Sequence, residues 1–228
     1  MRPVVAASIT LGFAVGIFAV SFGVAAVAAG ASTAQACVMS LLAFTGASQF
    51  SAVSVVAGGG STGSALSGAL LLAARNGVFG LAMSRRLTGR LPTRMLAAQI
   101  TLDESTAMSA AQDDPLAQRV AFWVTGVSVY VFWNLGTLVG ALAGSAIDPK
   151  TYGLDAAIPA AFVAMLWPQL RTRRGRIAVA LGAAICLASI PVLPIGLPIL
   201  AASLAIMIGI PVPRDSVPVE SLSDRVDR

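Results

Sequence analysis

The chain has no histidine, only two cysteines in 228 residues, few aromatics (6%) and little charge, with Asp, Glu, Lys and Arg together making up 11%. Each shortage removes a class of protein. Without imidazole the commonest proton shuttle and metal ligand is missing, and no nucleophile–base pair stands at a fixed spacing, so neither an enzyme nor a cofactor or metal centre is expected. Cys37 and Cys186 each fall inside an apolar run, where small buried thiols are expected and a disulfide is not. So little charge rules out an ordinary soluble domain. The period-two alternation of a membrane barrel is also absent. Lys and Arg (15) outnumber Asp and Glu (10), but the arginines gather at the ends of apolar runs, where they set orientation, and form no nucleic-acid face.

What the chain has instead is hydrophobicity: 57% apolar residues and a mean hydropathy of +0.84. From Pro3 to Ala74 no side chain is charged, a run of 72 residues with room for three helical spans of about 20 residues each. The fold class this predicts is an all-α integral membrane protein, a polytopic helical bundle of about seven spans with one or two short, broken or re-entrant segments. A single transmembrane domain covers 1–210, and the Pro- and charge-rich stretch 211–228 reads as a flexible tail. The start imitates a signal peptide, with Ala34-Gln35-Ala36 before Cys37. The apolar run from Val4 to Ala31 is far longer than an h-region of about 7–15 residues, so it reads as an uncleaved first span.

The most informative stretch is Leu66–Ser84, apolar enough to cross a bilayer yet carrying Arg75 and Asn76 at its centre. At about 1.5 Å rise per residue, the Arg75 Cα lies roughly 13 Å from either end. Snorkelling does not reach that far. A guanidinium there costs at least about 2.5–3.5 kcal/mol on insertion scales, so it should face protein or a cavity and have a counter-charge; a structural clamp between helices is the plainer alternative.

Upstream, Val4 to Ala29 reads as the first span, with Gly12, Gly16 and Gly23 offering a close-packing face. Ala36–Ala57 is a second segment with Gly46, Ser48 and Gln49 in its middle. There a helix can unwind at Gly46 and present backbone groups to a ligand; the alternative is an unbroken helix with Gln49 bonded to a neighbour. Gly58–Ser64 is a glycine-rich turn. Downstream come a basic loop at Arg85, Arg86, Arg90 and Arg94 and the short segment Met95–Ala111, with Asp103 and Glu104 at its centre. At membrane depth these acids are the natural partners of Arg75, and on the surface they would be an ordinary solvated pair. Phe122–Ala146 is a long span with Trp133 and Asn134 too deep for an interfacial belt, followed by the Gly136/Gly140 pair. A mixed loop (Asp148, Lys150, Asp155), a short span from Ala156 to Leu170, a second basic cluster at Arg171–Arg176 and a hairpin of Ile177–Ile190 and Ile195–Ile210 complete the chain. If Met95–Ala111 does not cross, both basic loops face the cytoplasm and the N-terminus is outside. Should the Gly46 segment be re-entrant, the N-terminus is inside.

The run Ser40 to Phe50 (SLLAFTGASQF), then Ala74-Arg75-Asn76-Gly77-Val78-Phe79-Gly80-Leu81, Asp103-Glu104-Ser105, Trp133 to Gly140 and Tyr152-Gly153-Leu154-Asp155 resemble the AzlC family, large subunits of branched-chain amino-acid exporters. The resemblance covers nearly the whole chain. It implies export of leucine, isoleucine, valine and sometimes methionine across the cell membrane, together with a small AzlD-type membrane subunit. One departure falls in the third block: family members usually carry His where Asn76 stands and Tyr where Phe79 stands, which puts the substrate range in question.

Together these readings predict an ion-gradient-driven secondary transporter subunit in the lipid bilayer of the cell membrane. Arg75 clamps the carboxylate of a small apolar amino acid and Asp103 or Glu104 its ammonium, with Gly46, Ser48, Gln49, Asn76, Trp133 and Asn134 as further contacts. No ATP-binding signature is present. The small-residue faces Gly12/Gly16 and Gly136/Gly140 are expected to need a helix against them, which the partner subunit would provide. The alternatives are a non-transporting membrane scaffold and a transporter of another small hydrophobic or zwitterionic solute.

Overall fold

The computed structural model describes residues 1–84, 87, 89–146, 163, 166–167, 169–194 and 197–205. Among these the chain is all helical, and α1 (Arg2–Ala28), α4 (Thr62–Ser84) and α7 (Pro115–Ala146) are long and apolar enough to cross a membrane. Their first turns are placed by local chemistry. Pro3 sits in the first turn of α1, Ser61 Oγ accepts from the Ser64 amide at 3.2 Å, and Asp114 Oδ2 accepts from the Ala117 amide at 2.8 Å.

Helices α1 and α7 run parallel and in register. Thr125 Oγ1 donates to Ser8 Oγ at 2.9 Å, a Cβ on Gly16 would overlap Phe132, and one on Gly140 would overlap the Val20 carbonyl. The contacting positions rise together along both helices, so both N-termini lie at one end. The glycine faces of the two helices therefore pack on each other, and they are not open seats for a partner subunit as the sequence had implied. Replacing Gly136 with valine drives a side chain into the Gly16 carbonyl, an overpacking that costs about 1–3 kcal/mol or more. We expect Gly136→Val to lower the melting temperature in detergent, while Gly77→Val, whose added carbon meets nothing within 4 Å, leaves it unchanged.

Between the long helices the chain forms two hairpins. In the first, α2 (Thr33–Leu42) starts on a reciprocal cap in which Ser32 Oγ accepts from the Gln35 amide and Gln35 Oε1 accepts from the Ser32 amide. It ends at Leu42, and α3 (Ala47–Ala57) begins after Gly46, whose φ of +64° is the left-handed conformation that a side chain would strain. Gln35 and Met39 of α2, Val53 and Val56 of α3 and the C-terminal end of α1 line one pocket. The tip at residues 43–46 instead lies by Ala14, Val15 and Phe18, half way along α1. This hairpin thus inserts to mid-length from the C-terminal end of α1.

The second hairpin, α5 (Leu91–Gln99) and α6 (Asp103–Ala110), inserts from the other end. Ala97 and Ile100 pack with Met83 of α4 and Phe122 of α7, and Leu102, Asp103 and Glu104 reach the same mid-length level. Helix α4 therefore runs antiparallel to α1, and its C-terminal end, followed by Arg90 and Arg94 at the start of α5, lies with the N-terminus of α1.

Ala36–Ala57 is consequently not one span but two arms of 10 and 11 residues, each too short to cross. Met95–Ala111 is likewise split at residues 100–102. α8 (Arg173–Ser189), capped by Thr172 Oγ1 on the Gly175 amide at 3.0 Å, packs with α9 (Leu197–Ala202), which also touches α4. Arg85, Arg86, the loop at Asp148–Asp155, most of the expected span from Ala156 to Leu170 and the tail 211–228 lie outside the described residues.

Candidate functional site

Where the two hairpin tips meet lies a half-open cavity of about 320 Å³. Gln99 Nε2 fastens the tips together by donating to the Leu41 and Leu42 carbonyls at 3.0 and 3.4 Å, and the Tyr130 hydroxyl of α7 donates to the Leu41 carbonyl at 3.2 Å. Each break is also closed from within by a side chain three residues into the following helix. Gln49 Oε1 accepts from the Gly46 amide at 3.2 Å while its Nε2 donates to the Met39 carbonyl at 3.3 Å. Ser105 Oγ accepts from the Leu102 amide at 2.9 Å. Both α3 and α6 thereby aim their N-termini, the positive ends of their dipoles, at the cavity.

One side of the cavity is charged. Arg75 Nη1 and Asp103 Oδ2 are 2.8 Å apart, and Glu104 lines the wall beside them. Asp103 and Glu104 occupy the first turn of α6, where the helix dipole favours carboxylates. The pair leaves capacity unused: Asp103 Oδ1 is buried with no protein partner, and Arg75 has further N–H donors beyond the one it spends. The opposite wall is apolar, built from Ala14, Val15 and Phe18 of α1 and Val129 and Trp133 of α7. Phe18 is held against Phe50 and Trp133 at ring separations of 5.4 and 6.3 Å, so this wall is stiff.

Of the residues picked out in the sequence, Gly46, Arg75, Asp103, Glu104 and Trp133 line the cavity, and Ser48, Gln49, Asn76 and Asn134 do not. Ser48 is paired with the Thr45 hydroxyl, and Gln49 is spent on closing the hairpin, so both support the tip from behind. Asn134 donates to the Tyr130 carbonyl at 2.8 Å along its own helix. Asn76 follows Arg75 on α4 but lies off the cavity, its Oδ1 without a protein partner. The α1 wall, Ala14, Val15 and Phe18, was not picked out, since nothing in a uniformly apolar helix marks which face it turns to a ligand.

Apolar helices, two broken hairpins and an ion pair thus surround a cavity with one charged and one apolar wall, as in a helical membrane protein. The AzlC protein family profile matches residues 10–147, and the chain belongs to this family. It is similar to the branched-chain amino acid transport protein AzlC of Bacillus subtilis, 25% identical over 169 residues that span 73% of this chain and 64% of that protein. The match thus covers a little under two thirds of that relative. It is also similar to an uncharacterized membrane protein of Helicobacter pylori, 29% identical over 169 residues and 72% of each chain. No solved structure matches.

Proposed function

We propose that this chain is the large subunit of a multi-pass secondary transporter in the cell membrane that exports branched-chain amino acids, with methionine as a further candidate. The observation that carries the reading is the Arg75–Asp103 pair set in one wall of a cavity whose other wall is aliphatic and aromatic. An amino acid has the matching form. Its carboxylate fits the free donors of Arg75, its ammonium fits Asp103 Oδ1 and Glu104, and its side chain fits the wall of α1 and α7. A cavity of this size, about 320 Å³, lies at the small end of ligand sites. Arg2, Arg90, Arg94 and Arg119 cluster at one end of α1, α4 and α7, and the positive-inside rule assigns that end to the cytoplasm. The energy source is an ion gradient, most simply protons received by a carboxylate of the site. The small AzlD-type subunit comes from the family resemblance and from the apolar faces of α4, where Leu70, Val78 and Leu81 are exposed.

The test is reconstitution in liposomes with and without the small subunit. Counterflow of leucine, isoleucine, valine or methionine only when both are present is the expected result. Full-rate transport by the single chain would overturn the two-subunit part of the reading, and no amino-acid movement in either arrangement would overturn the cargo, with Asn76 and Phe79 as the first positions to revert.

A further inference from the structure

Every third residue leading away from the first hairpin tip is a hydroxyl: Thr45, Ser48, Ser51 and Ser54. Thr45 lines the cavity and is hydrogen-bonded to Ser48. Ser51 follows one turn on, 2% exposed, with its Oγ turned to α4, where a Cβ on Gly68 would come within 3.3 Å of it. Neither Ser51 Oγ nor Ser54 Oγ has a protein partner. Six serines elsewhere, Ser21, Ser67, Ser84, Ser145, Ser189 and Ser203, each donate to a carbonyl three or four residues back, a common way for a hydroxyl to satisfy itself in an apolar setting. The row ends at Ser54, since Ala57 takes the next position, and beyond the Gly58–Gly60 turn the Ser61 and Ser64 hydroxyls lie 3.0 Å apart at the exposed start of α4. That turn is at the opposite end of α4 from Arg90 and Arg94.

We propose that the α3–α4 seam is a hydrated proton path from the outer face to the Arg75–Asp103–Glu104 cluster. A buried hydroxyl that faces a glycine, as Ser51 does, and a second without a protein partner one turn on, Ser54, are placed to bond water in file. A proton taken up near Ser61 passes along water and hydroxyl oxygens, each releasing one proton as it accepts one, and ends on a carboxylate oxygen of Asp103 or Glu104. Nothing is oxidised, and no co-reactant is needed. The side is the one an exporter requires, because protons that drive a solute out must come in from outside. Apart from Arg75, no charged side chain stands on α3 or α4 to compete with the acids for the proton. The direction of use rests on the transport reading above, whereas hydration of the seam does not.

Two measurements on the full chain in membranes test it, in a Cys37→Ser/Cys186→Ser background. Ser51→Cys and Ser54→Cys should react with a membrane-impermeant cationic methanethiosulfonate added from outside at least about tenfold faster than Val78→Cys on the apolar face of α4, because only a hydrated thiol ionises to the reactive thiolate. Adding Gly68→Val should block the reaction. In proteoliposomes, Ser51→Val should slow proton uptake coupled to leucine efflux, and Ser51→Thr, which keeps the hydroxyl, should restore it. Thiols at 51 and 54 as unreactive as that at 78, or coupled proton uptake unchanged in Ser51→Val, overturns the path. Efficient transport with an unreactive seam would sink the path and leave the transport reading standing. Fast labelling in a protein that moves no amino acid would do the reverse.

Discussion

Arg75→Ala should reduce amino-acid efflux by about a hundredfold while the protein still reaches the membrane. A charge-assisted hydrogen bond contributes about 1.5–3 kcal/mol, and Arg75 is placed to supply such bonds to a carboxylate while remaining paired with Asp103. Loss of the guanidinium removes the ligand contacts and leaves Asp103 without its counter-charge. Arg75→Lys should recover little, because one ammonium does not reproduce a planar fork that serves two carboxylates at once. The double variant Arg75→Ala/Asp103→Ala separates two roles. It restores charge balance, so it should restore stability but not transport. The side chains of the pair keep 37% and 43% of their surface open, so a solute in the cavity can reach both. Efflux at normal rates from well-expressed Arg75→Ala protein would return the pair to a structural role.

The two acids should part company in the second experiment. Asp103 is committed to Arg75, whereas Glu104 faces the cavity with no ion-pair partner among the described residues. Glu104→Gln should therefore uncouple transport: downhill exchange of amino acid persists, but accumulation against a gradient driven by a pH difference disappears. Asp103→Asn weakens the ammonium contact and frees Arg75, so it should raise the substrate concentration needed for half-maximal flux, without abolishing the response to pH. The measurement is flux under imposed pH gradients in proteoliposomes. Equal and mild effects at both positions would mean that neither carboxylate carries the coupling.

The sequence revealed charge more readily than shape. Arg75, Asp103 and Glu104 stood out because a charge inside an apolar run is expensive and seldom accidental. Gly46 was visible as a weak point for the same reason it became one, since only glycine takes the +64° φ easily. The break at residues 100–102 had no such marker, as Ile100, Thr101 and Leu102 are ordinary residues stopped by a tertiary contact and by the Ser105 side chain. Length misled in the first hairpin: the run Ala36–Ala57 is as long as a span, and hydropathy does not distinguish one crossing from two half-crossings that fold back. Ser48 and Gln49 were recognised as polar and deep, but whether a deep amide meets a ligand or closes a turn depends on the direction of its side chain, which residue type does not give. The glycine faces of α1 and α7 were recognised as close-packing surfaces, yet their mutual pairing follows from a parallel register over a separation of more than a hundred residues.

The crossing of the two tips has a mechanical consequence. Gln99 and Tyr130 hold the loose end of α2 through three hydrogen bonds at solvent-accessible positions, and such bonds contribute only about 0.5–1.5 kcal/mol each. They act as a latch. Neither hairpin withdraws without releasing the other, so a tug at one end of the molecule is felt at the far end.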